Sequence, residues 1–200
     1  MSDAPRLVLA STSRYRSQLL QRLRVPFNIV APNVDEAPLA GEAPGATAAR
    51  LAMAKAQAVA ALHPDAVVIG SDQVAELDGE AIGKPHTHDR AAAQLRAMSG
   101  RRVVFHTAVV VVRRDRDFAR GLTAHVVVTF RPLGEDEIET YLLAEQPYDC
   151  AGSAKSEALG IALLTAIDSD DPTALIGLPL IRTCALLREA GVTLLVPPRP

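Results

Sequence analysis

Several polar residues in this chain stand where chemistry explains them better than packing does. Asp72 follows the apolar run Ala66-Val67-Val68-Ile69-Gly70, within Gly70-Ser71-Asp72-Gln73. Ligand crevices of open α/β sheets lie outside the carboxyl ends of such strands. A carboxylate there is desolvated unless a cation or a metal pairs with it; Asp and Ser also favour turns, so a plain turn residue is the alternative. Asp35-Glu36 adds two acids that could share a hard divalent ion such as Mg²⁺ or Mn²⁺, which also binds phosphates. Lys55 falls on the helical stripe Leu51, Lys55, Val59, Leu62, where a lysine either snorkels to the edge or faces something negative. Lys84, between Gly83 and Pro85, is a second cation on a stiff loop. Arg14 and Arg16 follow Ser11-Thr12-Ser13 and fall in the first turn of a predicted helix. A cation there is unfavourable by roughly 0.3–1 kcal/mol. Either a bound anion such as phosphate reverses that, or the arginines swing out into solvent.

The elements that must position these residues follow from periodicity and punctuation. Leu7–Ala10 reads as a buried strand feeding a helix over 14–24, with Ser13 as its N-cap. Residues 27–30 read as a strand, 31–45 as a long Pro- and acid-rich loop, and the alanine-rich 46–62 as a helix. The run 66–70 reads as an interior strand. Asp78-Gly79 between 74–77 and 80–82 signals a hairpin. A third helix is expected over 89–98, strands over 103–112 and 123–130, and a solvated charged tip over 113–120. A helix over 134–144, a strand over 161–167, a helix over 173–190 stopped by Gly191, and a short strand over 194–196 complete the reading. Strand–helix units mixed with hairpins predict an α/β fold with a mixed, twisted sheet flanked by helices. The 200 residues are expected to form a single domain.

Composition narrows the chemistry. Apolar residues make up 48% of the chain, enough for a sizeable core. The net charge of -2 argues against a general nucleic-acid binder. Cys150 and Cys184 cannot make a disulfide framework or a zinc cage, and read as reduced thiols of a cytoplasmic protein. The polar N-terminus carries no secretory h-region, and the apolar stretch 103–112, interrupted by His106 and Thr107, is too short to span a membrane. His86 and His88 read as loop residues, His106 and His125 as strand residues. No Walker loop, Gly-x-Gly-x-x-Gly fingerprint or Ser-His-Asp set is present, which disfavours kinase and dehydrogenase readings. The residues alone fit metal-assisted phosphate chemistry without identifying the reaction.

At the same residues the chain resembles the Maf family of nucleoside triphosphate pyrophosphatases. The resemblance is carried by Leu9-Ala10-Ser11-Thr12-Ser13-Arg14-Tyr15-Arg16, Val34-Asp35-Glu36, Ala52-Met53-Ala54-Lys55-Ala56, Gly70-Ser71-Asp72-Gln73-Val74 and Gly83-Lys84-Pro85. It continues in Ala151-Gly152-Ser153-Ala154-Lys155-Ser156-Glu157 and in the block from Asp171-Pro172-Thr173 to Leu178-Pro179, so it runs along nearly the whole chain. It implies two lobes around a nucleotide cleft and cleavage between the α and β phosphates. Asp72 is then the proton acceptor for water, Glu36 an acid beside a divalent metal shared with Asp72, and Ser11, Arg16, Lys55 and Lys84 the triphosphate surroundings. Tyr15, Gln73 and Glu157 fall at positions linked to base choice. Asp72-Gln73 is similar to the branch acting on 7-methyl-GTP, whereas the dTTP/UTP branch carries Asp-Thr; Tyr15 stands where tryptophan is expected. The resemblance also implies a small-molecule nucleotide partner and a homodimer. Its alternatives are a dTTP/UTP pyrophosphatase and a nucleotide-binding regulator of cell division without turnover.

Overall fold

The structure is a computed structural model and describes residues 5–195. Its elements run in the order β1 (Leu7–Ala10), α1 (Arg14–Gln21), β2 (Phe27–Ile29), α2 (Pro44–Leu62), β3 (Val67–Leu77), β4 (Glu80–Ile82), α3 (His88–Met98), β5 (Arg102–Arg113), β6 (Phe118–Phe130), α4 (Glu135–Glu145), β7 (Leu164–Asp168) and α5 (Leu180–Glu189). The strands form one sheet in the order β2-β1-β3-β5-β6-β7, with β4 paired to β3. The β2/β1 and β1/β3 pairs are parallel, and the remaining pairs are antiparallel. The fold is therefore α/β with a mixed sheet, as the alternation of strand–helix units and hairpins predicts.

Three apolar clusters cover this sheet. On one face of its β1 end, α2 packs Ala48, Ala52, Ala56 and Val59 onto Val8, Val68, Ala108 and Val110. On the opposite face, Leu19 and Leu20 of α1 and Leu186 and Leu187 of α5 pack onto Leu7, Leu9, Ile69 and Val111. The other end of the long strands is covered by α3 and α4, through Leu95, Met98, Ile138 and Leu142 against Phe105, Val126 and Phe130. The alanine content of α2 has a structural reason: small side chains let its backbone lie against the sheet. Gly70 takes this furthest. A Cβ at Gly70 would sit 2.6 Å from the backbone nitrogen of Ala56 and would overlap the carbonyl oxygen of Ala52.

Several boundaries differ from the sequence reading, each for a local reason. β3 does not stop at Gly70 but runs through Asp72 to Leu77, because β5 pairs with it from Val67 to Glu76. Asp72 thus lies inside a strand rather than at a strand end or in a turn. The expected charged tip shrinks to the Arg114–Arg116 turn, and Arg113 is buried rather than solvated: its guanidinium donates to Ala190 O at 2.8 Å and to Asp115 at 2.8 Å. The first helix ends at Gln21, and Arg24 takes a positive φ of 55°. His88 opens α3 instead of lying in the loop. The 161–167 segment divides into a 3₁₀ turn, Leu159–Leu163, and β7. The helix expected over 173–190 divides into a 3₁₀ turn, Ala174–Ile176, and α5, because Gly177 adopts φ 122° and Pro179 precedes the second helix. Leu194 and Leu195 form no strand, and Val196 lies outside the described residues. Ser13 does cap α1, accepting from Arg16 N, and Asp78-Gly79 does turn the β3/β4 hairpin with φ 53° and 86°.

Gly70→Ala should force α2 off β3 and destabilise the fold by about 3 kcal/mol, the upper end of overpacking costs. Urea unfolding of the variant checks this; an unchanged midpoint would show that α2 tolerates the added methyl.

Candidate active site

The long strands serve two packing regions, and the residues between those regions are polar. β3 gives Val67, Val68 and Ile69 to the clusters at one end and Ala75 to the cluster at the other; β5 gives Ala108–Val112 and then Val103 and Phe105. Ser71, Asp72, Gln73 and Thr107 belong to none of these clusters, although Ser71 and Thr107 are fully buried. Strand alternation sends Asp72 toward α2 and sends Ser71 and Gln73 to the opposite face, toward the Ala174–Ile176 turn.

On the α2 side, Lys55 Nζ donates to Asp72 Oδ1 at 2.7 Å and pairs with Glu36 Oε1 at 2.9 Å. Lys55 is 4% exposed and Asp72 6%, so the stripe lysine faces acids rather than reaching for solvent. Glu36 reaches the pair from an exposed loop, and a second ion pair ties that loop to α2. Arg50 donates to Glu42 at 2.6 and 2.7 Å and to Ala37 O at 3.1 Å, and Thr47 Oγ1 donates to Glu42 at 2.9 Å. The Arg50 guanidinium, helped by Thr47 and the Leu39 N–H, holds the Glu42 carboxyl down at about 2 against the opposing effect of burial.

At the start of α1 the two arginines part ways. Arg16 turns inward: its Nε donates to Gly177 O at 2.9 Å and its Nη1 to Ser11 Oγ at 3.4 Å. Surrounding atoms draw its pKa below the usual guanidinium value, while the charges of Asp72 and Glu36 oppose that shift. Arg14 turns outward, donating to the Tyr15 hydroxyl at 2.7 Å, lying 3.5 Å from Asp149, and sitting 4.8 Å from the centre of the Tyr15 ring. The Tyr15 hydroxyl donates to the Asp149 carboxylate at 3.3 Å, and burial raises its pKa. Burial likewise pushes the neighbouring Cys150 thiol up to about 11, so it is no thiolate nucleophile near neutral pH.

These groups line one cleft of about 800 Å³, within the range of sites that enclose small molecules. The cleft brings together Ser11, Tyr15, Arg16, Glu36, Lys55, Asp72, Gln73 and Lys84. Lys84 is exposed, on the loop after the β3/β4 hairpin. Glu157 lines not the cleft itself but an adjoining recess of about 90 Å³, shared with Tyr15, Arg16, Gln73 and Lys84. Asp35 turns away and accepts from the Ala37 N–H. Sequence reasoning missed Asp149 and His86 among the cleft residues, and Thr107 beneath it. Asp149 lies in an irregular stretch without periodicity, and Thr107 reads as an interruption in an apolar strand. Among the described residues no group of three His, Cys, Asp or Glu side chains is arranged to hold a metal ion.

The profile of the Maf family, described as Maf-like protein, matches residues 6–190. A protein of Polaromonas sp. named 7-methyl-GTP pyrophosphatase is 65% identical over 188 residues, covering 94% of this chain and 86% of that protein. Proteins of the same name from Albidiferax ferrireducens and Thiobacillus denitrificans are 62% and 57% identical, covering 95% and 98% of this chain and 96% and 97% of their own lengths. Among solved structures, the Staphylococcus aureus Ham1 protein aligns at 17% identity with a TM-score of 0.46, over 62% of this chain and 71% of that one.

Two outcomes test the site's energetics. Lys55→Met should cost about 3–5 kcal/mol, because Asp72 is left buried without its cation. Lys55→Met combined with Asp72→Leu should recover much of that loss in urea unfolding, and additive losses would deny the coupling. The second outcome concerns pH. A carboxylate whose pKa is lowered by folding stabilises the fold above its unfolded pKa, and that contribution disappears as pH falls through the folded value. The Glu42 contribution should therefore be complete above pH 4.5 and lost as pH falls toward about 2. Thermal melting across that window should show a shallower pH dependence in Glu42→Gln than in the parent; identical slopes would remove Glu42 from the account.

Proposed function

The chain belongs to the Maf family, and from that premise we propose that it is a nucleoside triphosphate pyrophosphatase, splitting 7-methyl-GTP into 7-methyl-GMP and pyrophosphate and so clearing a modified nucleotide. The substrate comes from the relatives that bear that name at 57–65% identity over almost all of this chain. The observation that carries the chemistry is the Lys55–Asp72 pair at the floor of a cleft ringed by cations.

Asp72 gives Oδ1 to Lys55 and keeps Oδ2 to accept a proton from water attacking the α-phosphorus. The Lys55 ammonium holds that carboxylate in place and offsets charge on the phosphate under attack. Arg16, Lys84 and the N–H groups at the start of α1 are placed to receive the remaining phosphates and the departing pyrophosphate. Glu36 and Asp72 would hold a divalent cation, Mg²⁺ or Mn²⁺, beside Lys55: Glu36 has one oxygen on that ammonium and one to offer, and hard carboxylate oxygens suit such ions. When bound, that ion neutralises phosphate charge and polarises the phosphoryl oxygen.

The base belongs in the recess between Tyr15 and Glu157. Arg14 covers one face of the Tyr15 ring, so a cationic methylated guanine stacks on the other, by cation–π attraction. Glu157 accepts hydrogen bonds from the guanine edge. Gln73 beside Asp72, in place of threonine, favours this substrate over dTTP and UTP. The setting we propose is the cytoplasm, where such nucleotides arise; among the described residues no helix is long and apolar enough to cross a membrane.

Incubation with Mg²⁺ and a panel of triphosphates, with the products identified, tests the reading. Pyrophosphate and 7-methyl-GMP are expected; orthophosphate would overturn the reaction, and a preference for dTTP and UTP would overturn the base assignment. Asp72→Asn should lower kcat by about 10²–10⁴-fold, the usual worth of a general base. It should lower the melting temperature, because Lys55 loses its buried counter-charge, yet leave the protein folded, since Glu36 still pairs with the ammonium and the amide oxygen still accepts from it. Near-normal turnover in that variant would remove Asp72 as the base.

A further inference from the structure

Gln73 is held by the protein before any ligand arrives. Its Nε2 donates to Ala174 O at 2.9 Å, Leu175 O at 3.0 Å and Thr107 Oγ1 at 2.9 Å. The two carbonyls fix the amide's orientation, because a reversed amide would set its own oxygen against two others. Both N–H groups are therefore engaged, and only Oε1 is left to face the recess. Thr107 is fully buried, lines neither the cleft nor the recess, and donates its hydroxyl to the same Ala174 O at 2.9 Å.

The segment these side chains hold is the Ala174–Ile176 turn with Gly177. Leu175, Ile176 and Gly177 form one wall of the recess that also contains Tyr15 and Glu157. Ser71 Oγ and Arg16 Nε both reach Gly177 O, at 3.2 and 2.9 Å. The far end of the segment is braced separately. The Arg182 N–H donates to the buried Asp171 Oδ2 at 3.1 Å, and the Thr173 hydroxyl donates to Leu178 O at 2.8 Å. The wall is thus tied to β3 and β5 by polar side chains, while Ala174 is buried in the cluster under α3 and α4 and Leu175 and Ile176 pack against the clusters at either side. A displacement of this wall changes the shape of the recess beside Tyr15 and Glu157.

We propose that Thr107 is a specificity-determining positioning residue, acting with Gln73 through the Ala174–Gly177 wall on the recess that takes the base. The proposal rests on the nucleotide reading above in one respect, that the base enters this recess. Thr107→Val keeps the volume and the branched strand side chain but removes the hydroxyl. Ala174 O then keeps Gln73 and the Gly177 N–H, and Gln73 loses Thr107 as an acceptor, so the wall loosens while the cores at either side stay packed.

The experiment compares the parent, Thr107→Val and Thr107→Ser. In Thr107→Val, KM for 7-methyl-GTP should rise about tenfold, the worth of roughly one hydrogen bond. Its kcat should hold within about twofold, the signature of lost binding rather than lost chemistry. KM for GTP should rise less, so discrimination between the two falls. Thr107→Ser should restore the parent values. Hydrogen exchange at the Ile176 and Gly177 amides, whose N–H groups bond to Thr173 O and Ala174 O, should quicken in the valine variant and return to normal in the serine variant. An unchanged KM, a loss confined to kcat, a serine variant as impaired as the valine variant, or unchanged exchange would each overturn the proposal. Exchange needs no substrate, so it separates failure of this role from failure of the pyrophosphatase reading.

Discussion

The buried pair between Lys55 and Asp72 is the contact on which the rest of the arrangement depends. It joins α2 to the middle of β3, and both partners lie almost wholly out of water. Two charges in that position are tolerable only because each satisfies the other, and removing either leaves a cost of several kcal/mol. The pair forms because α2 lies against the sheet, and α2 lies there because Gly70 has no side chain and the helix face is alanine. Glu36 reaches the same ammonium from its loop, and Arg50 with Glu42 anchors that loop on the same helix. One helix therefore holds the lysine and the loop bearing one acid, and sits over the other acid.

The second organising feature is the polar belt across β3 and β5. Each strand is long enough to enter apolar clusters at both ends, and at the crossing between them a row of polar side chains replaces the core. Its two faces do different work. Asp72 points to α2 and the charged floor of the cleft; Ser71, Gln73 and Thr107 point to the C-terminal turn and carry its carbonyls. Chemistry and base recognition, as proposed, are thus separated by the pleat of a single strand.

The charge pattern matches a polyanionic ligand although the whole chain carries a net charge of -2. Arg16, Lys55 and Lys84 converge on the cleft; Arg16 and Lys84 also line the recess, where Glu157 and Asp149 stand beside Tyr15. As proposed, the phosphates of a nucleotide meet the cations and a positive base meets Glu157. Cys150, kept protonated by burial, contributes shape rather than reactivity.

The sequence by itself determined the fold class, most elements and most of the cleft. Period-two and period-3.6 patterns, Ser13 as a cap and Asp78-Gly79 as a hairpin are local signals, and the structure keeps them. It also marked Lys55 as anomalous, because a cation on an apolar stripe is visible in one dimension. What it left open was which outcome each anomaly takes. Lys55 faces acids, Arg16 turns in and Arg14 out, Arg113 is buried, and Asp72 sits inside a strand, because each depends on elements far away in the chain: α2 over β3, Gly177 over α1, Ala190 over β5, and β5 beside β3. The break at Gly177 and the load borne by Gln73 and Thr107 were hidden for the same reason. A turn built from residues 174–177 acquires its meaning only when the sheet carries residues 73 and 107 beneath it.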